Sequence, residues 1–110
     1  MQVTEARATN RLTRLKRLIA IYESGAVSDF MDNVLDKVFA QEAADEEALI
    51  ERLRANLDKF EAKYGMSSLE FYTRFRSGEL GDAMDFMEWA SLYDMHEGAV
   101  ERLSQLTSSH

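Results

Sequence analysis

At 110 residues the chain holds one domain's worth of sequence, and 45% hydrophobic side chains are too many for a disordered polymer. A net charge of -7 argues against nucleic-acid binding over the whole chain, and the absence of cysteine removes a disulfide framework, a thiolate metal site and a cysteine nucleophile. With no proline and five glycines, long uninterrupted helices are permitted, because proline costs about 3 kcal/mol inside a helix and glycine about 1.

The spacing predicts a first helix from Thr4 to Glu23, with Leu12, Leu15, Ile19 and Tyr22 on one stripe. Arg7, Arg11, Arg14 and Arg17 lie away from that stripe and, with Lys16, are the residues that would touch phosphates if nucleic acid were bound. No helix-turn-helix or ribbon motif accompanies them. Residues 1–20 carry five basic groups against one acid, whereas residues 23–48 carry eight acids against one base. The acidic stretch would repel phosphates, so nucleic acid is not an expected partner. The apolar patch Leu18 to Tyr22 is too short for a signal-peptide core or a membrane span, which predicts a soluble, cytoplasmic protein. Ser24 and Gly25 end the helix.

Ser28 or Asp29 opens the second helix, on which Phe30, Val34, Leu35, Val38 and Phe39 form the first apolar stripe. From there Phe39, Ala43, Ile50, Leu53, Leu57, Phe60 and Tyr64 occupy a and d positions of a heptad, with Glu46 as the one charged residue on the seam. Nothing but propensity decides between one helix of about 50 Å and two helices broken near Ala44, Asp45 and Glu46. Such a seam asks for a partner helix, either the first helix folded back or a second copy. The self-association residues are then Ile50, Leu53, Leu57, Phe60 and Tyr64.

Gly65 stops the long helix. Ser67 and Glu70 have the spacing of a capping box, and Met66 and Phe71 that of a hydrophobic staple, so a short helix from Ser67 to Arg76 follows. Ser77 and Gly78 close it, and Asp82 is placed to cap a last helix carrying Phe86, Trp89, Tyr93, Val100 and Leu103, with a polar tail from Leu106 to His110 expected to fray. Residues 77–110 hold seven acids against one base.

Chemistry is sparse. His96 is a lone histidine on the apolar seam, and Asp82, Asp85 and Glu88 are spaced by three without the Glu-x-x-His pair of a di-metal bundle. No phosphate loop, zinc motif or nucleophile elbow is present. The reading is a non-enzyme with no catalytic residues, no metal and no cofactor. Contact residues are better represented: Phe71, Tyr72, Phe75, Met84, Phe86, Met87, Trp89, Tyr93 and Met95 fall close together, and Phe86, Met87, Trp89, Ala90, Leu92 and Tyr93 are spread too widely for one narrow face.

The expected fold is therefore all-α. A long heptad-bearing helix packs with the N-terminal helix, two short helices follow, and a coiled-coil-like dimer forms. Residues 1–64 make the coiled-coil region and residues 65–110 a capped C-terminal unit of the same domain.

The stretch from Lys63 through Met95, KYGMSSLEFYTRFRSGELGDAMDFMEWASLYDM, resembles a segment of small prokaryotic antitoxin-like proteins of toxin–antitoxin modules. The likeness covers roughly residues 27–96 and rests on Gly65-Met66-Ser67, on Gly78-Glu79-Leu80-Gly81-Asp82 and on Glu88-Trp89. The resemblance implies an acidic, helical, dimeric protein that covers a basic toxin acting on RNA. In that reading Phe86, Trp89 and Tyr93 anchor the toxin, and Asp82, Asp85 and Glu88 face its basic residues. The first 25 residues show none of the DNA-binding patterns of many antitoxins. The alternative is a homodimeric structural or assembly adaptor of a larger complex, with no toxin partner.

Overall fold

The computed structural model describes residues 3–108, and the side chains of residues 6–108. The described chain is all-helical: α1 (Val3–Glu23), α2 (Asp29–Tyr64), α3 (Ser68–Arg76) and α4 (Met84–Thr107). It separates into two compact units, Met1–Lys37 and Val38–His110, with α2 running through the boundary. The second half of α2 lies in the same unit as α3 and α4.

In the smaller unit, α1 ends in a Schellman motif. Gly25 takes φ 77°, its N–H donates to the Tyr22 carbonyl at 3.1 Å, and the Ala26 N–H donates to Ile21 at 3.2 Å. Ser28 caps α2 by accepting from the Met31 N–H at 3.1 Å, and the Tyr22 hydroxyl donates to Asp32 at 2.9 Å. No side chain from residue 6 to residue 37 is fully buried, and Leu12, Leu15 and Ile19 are each more than half exposed.

α2 is one unbroken helix of 36 residues, about 54 Å long. The alternative break near Asp45 does not occur. Instead of capping a new helix, the Asp45 carboxylate accepts from the Gln41 side chain one turn earlier at 2.9 Å, a pairing that supports the helix it sits in.

In the larger unit the α2 seam is covered by the C-terminal helix, a cover that the seam's spacing alone does not name. Leu57, Phe71, Trp89 and Ala90 form the buried cluster, and Phe60, Tyr64, Met66, Tyr72, Phe75 and Phe86 are among the side chains packed against it. The rings of Phe71 and Trp89 lie parallel with centroids 3.9 Å apart, and Phe60 and Tyr64 stack on Trp89 at 5.5 and 5.6 Å. Each fully buried large apolar side chain contributes about 1.5–3 kcal/mol, and each ring pair about 0.5–1.5 more. Further along, Ala43 and Ala99 are buried, and Arg102 pairs with Glu46 at 2.8 Å. The charged residue on the seam is thus held by a cation from α4, though its second oxygen is buried without a partner.

The tight entry to α3 follows from its sequence. Ser67 accepts from the Glu70 N–H at 3.1 Å, and the staple residues converge, with Phe71 fully buried and Met66 against the same cluster. At the other end Gly78, φ 82°, supplies a second Schellman motif, with Gly78 N–H to Phe75 at 3.0 Å and Glu79 N–H to Arg74 at 3.2 Å. Asp82 does not cap α4. That position belongs to Ala83, which makes no side-chain cap, so the turn is closed by backbone bonds from Phe86 and Met87 to the Ala83 carbonyl. α4 also continues to Thr107, past the point where fraying was expected, because Leu103 and Leu106 are still half-buried.

Candidate protein-binding surface

The centre of the larger unit is a line of polar groups threaded through the aromatic cluster. Trp89 is fully buried, and its indole N–H donates to the Ser68 hydroxyl at 2.9 Å. Ser68 is the buried polar residue of the described chain, and its backbone N–H donates to Glu61 at 2.8 Å. Glu61 therefore caps the start of α3 from the last turns of α2, and Arg54 holds the same carboxylate oxygen at 2.8 Å while also reaching Asp58 at 2.9 Å. An indole in an apolar core needs such a partner, since an unpaired buried N–H costs about 1–3 kcal/mol.

A second link joins the end of α2 to the first turn of α4. Asp85 accepts from Lys63 at 2.7 Å and from the Tyr64 hydroxyl at 2.6 Å. Further on, the Tyr72 hydroxyl donates to Asp94 at 2.6 Å, joining α3 to α4. Hydrogen bonds from Lys63 and Tyr64 hold the Asp85 carboxyl below the usual carboxylate range. Burial pushes the Glu61 carboxyl up, but the hydrogen bonds from Ser68 and Arg54 outweigh it and leave the group below its ordinary value.

Depressed carboxyls contribute stability that is complete above the unfolded pKa and lost as pH falls through the folded one. The urea midpoint of the larger unit, followed by Trp89 emission, is expected to hold steady down to about pH 5 and to fall below about pH 4. Glu61→Gln should make that fall shallower. A midpoint that rises on acidification would contradict these assignments.

The sequence-predicted contact residues divide sharply. Asp82 and Glu88 are exposed and make no ion pair or hydrogen bond among the described residues. Phe86 and Tyr93 are half-buried, Phe86 edge-on to Tyr64 at 5.3 Å and Tyr93 against Tyr72 at 4.8 Å. Trp89 has no exposed surface, and Asp85, partly exposed, accepts from Lys63 and Tyr64. Among the expected self-association residues, Leu53 and Leu57 are buried, Ile50 is half-buried, and Phe60 and Tyr64 pack on the cluster of α3 and α4. Arg7, Arg11, Arg14 and Arg17 are all exposed along α1, and with Lys16 they make no ion pair among the described residues.

What the outer side of α4 does present is methionine. Met84, Met87 and Met95 are 82%, 56% and 49% exposed and fall on one side of the helix. Their sequence signal is a spacing of three and then eight, which the nearby aromatics obscure. Glu88 lies beside them, and Asp82 just precedes the helix. The one arginine of α4, Arg102, is turned to Glu46.

The chemistry of a reaction centre is thin on the same surface. His96 is mostly buried and paired with Glu97 at 2.9 Å. Among the described residues no group of His, Asp and Glu is placed to hold a metal ion, and no helix is long and apolar enough to cross a membrane. Comparison with protein-family models, with curated proteins and with solved structures returns no match.

Proposed function

We propose that the chain is a non-catalytic protein-binding module, an antitoxin-like protein that neutralises a basic toxin through the outer face of its C-terminal helix. The observation that carries this reading is the exposed line of Met84, Met87 and Met95 beside Asp82 and Glu88, which are unpaired among the described residues. Methionine adapts its shape to a partner surface, and apolar side chains in contact with water along a helix gain most by being covered. Carboxylates at the edge steer a basic partner toward that line and set its register. The resemblance of the segment around Gly65 to Tyr93 to antitoxin-like proteins supports the identity of the partner class. The anchoring role first expected of Trp89 passes to the methionines, and the indole serves by holding α4 in place.

Co-expression with the product of the adjacent gene tests the proposal. A soluble complex is expected, and Met84→Glu with Met87→Glu should weaken it by about thirtyfold or more while leaving helicity and Trp89 emission unchanged. A complex with unaltered affinity in that variant, or no complex with the native chain, would overturn the reading. The adaptor alternative draws on a separate observation, the exposed apolar stripe of α1.

A further inference from the structure

Thioether sulfur is the most readily oxidised group this chain carries, because there is no cysteine to compete for an oxidant. How fast a methionine reacts follows its exposure, and the fold sorts these residues by exposure. Met84 is 82% exposed, and Met87 and Met95 are about half exposed, all on the outer side of α4. The three positions span about 17 Å of helix. Met31 and Met66 are half-buried, and Met66 packs against the aromatic cluster. The indole of Trp89, which is also open to oxidation, has no exposed surface. None of the three outer methionines belongs to the buried cluster, so oxygen added to them leaves the core untouched.

We propose that Met84, Met87 and Met95 form a reversible oxidation site for peroxide-class oxidants, and that their conversion to sulfoxides shuts off the docking face of α4. The second part rests on the function proposed for that face. In each reaction the thioether sulfur donates an electron pair to one peroxide oxygen, and an S–O bond forms as the O–O bond breaks. The hydroxyl carried onto sulfur gives its proton to the departing hydroxide, which leaves as water. Sulfur is oxidised by two electrons and the peroxide is reduced by two. A methionine sulfoxide reductase supplied with two thiols reverses the change: the oxygen leaves as water and the thiols become a disulfide.

Polarity carries the effect on docking. A thioether adapts to an apolar partner surface, whereas a sulfoxide is a polar hydrogen-bond acceptor that holds water. Covering it with apolar surface removes that water and returns no bond. Glu88 beside the stripe and Asp82 just before the helix accept hydrogen bonds when ionised and donate none, so neither satisfies the new oxygen. Arg102, the one arginine of α4, is held by Glu46.

Limited hydrogen peroxide treatment of the native full-length chain, read by peptide mass spectrometry, should place oxygen on Met84, Met87 and Met95 before Met31 and Met66. Helicity and Trp89 emission should not change. Freed of peroxide, the oxidised chain should bind the product of the adjacent gene about thirtyfold or more weakly. Methionine sulfoxide reductases with dithiothreitol should restore that binding. The variant carrying Met84→Leu, Met87→Leu and Met95→Leu should bind and be indifferent to peroxide. Met31 or Met66 oxidised as fast as the α4 methionines would overturn the site, and so would a leucine variant whose binding still falls after peroxide. An oxidised native chain that binds as well as the reduced one would overturn the shut-off alone. A reduced native chain that does not bind would overturn the docking function and the shut-off together, and the order of oxidation then decides the site by itself.

Discussion

Phe71→Ala is expected to lower the stability of the larger unit by about 3–5 kcal/mol, seen as an earlier urea midpoint and an exposed, red-shifted Trp89. Phe71 has no exposed surface, and its ring lies flat on the indole with centroids 3.9 Å apart. The same ring also approaches Phe75 at 5.5 Å and Phe86 at 5.6 Å, so the deletion opens a void where α3 and α4 meet. Because Phe71 is also the inner half of the staple, α3 loses the contact that fixes its entry angle along with its core. A midpoint shift below about 1 kcal/mol would mean that the cluster closes over the void, which the stacking of Phe60, Tyr64 and Trp89 opposes.

Leu57→Asp is expected to unfold the larger unit outright, at a cost of about 4 kcal/mol or more. Leu57 is fully buried within the cluster of Phe71, Trp89 and Ala90, and no cation stands in that cluster to receive a carboxylate. The exposed neighbour Ala55→Asp on the same helix should change stability by no more than about 0.5 kcal/mol. The outcome of Leu57→Asp also separates two uses of the heptad seam. If the seam joined two copies, the variant would be a folded monomer with native Trp89 emission. Covered by its own chain, as in this structure, the seam instead gives loss of the Trp89 environment and of helicity together.

Local features were legible in the sequence because local chemistry decides them. Ser28 and Ser67 cap their helices, and Gly25 and Gly78 end theirs, through contacts that span no more than a few residues. The continuity of α2 was open because Asp45 is equally suited to a cap or to an exposed helical pair. In the folded chain Asp45 pairs with the Gln41 side chain inside an unbroken helix. Long-range choices were less accessible. Glu46 reads as a defect in an apolar seam until Arg102, 56 residues away, is found against it. Apolar residues lie almost all round α4, so periodicity alone does not say which of them turn inward. Spacing therefore suits Trp89 to an outward anchor, whereas the fold buries it and gives the outer side to Met84, Met87 and Met95. Aromatic content predicts that a contact exists, and the tertiary packing determines which side of the helix makes it.

The buried hydroxyl of Ser68 has a consequence for how many folds this chain can adopt. A helix with apolar residues on nearly every side can roll about its axis, or slip by a turn, and still present a greasy stripe to its neighbours. Such alternatives differ little in buried area, and a core held by area alone settles into several of them. The indole N–H breaks that degeneracy, because only one rotation and one axial setting of α4 bring a donor over the Ser68 oxygen. Other settings strand the indole N–H in an apolar environment. One hydroxyl on α3 thus acts as a detent for α4, and it fixes which residues α4 shows to the outside.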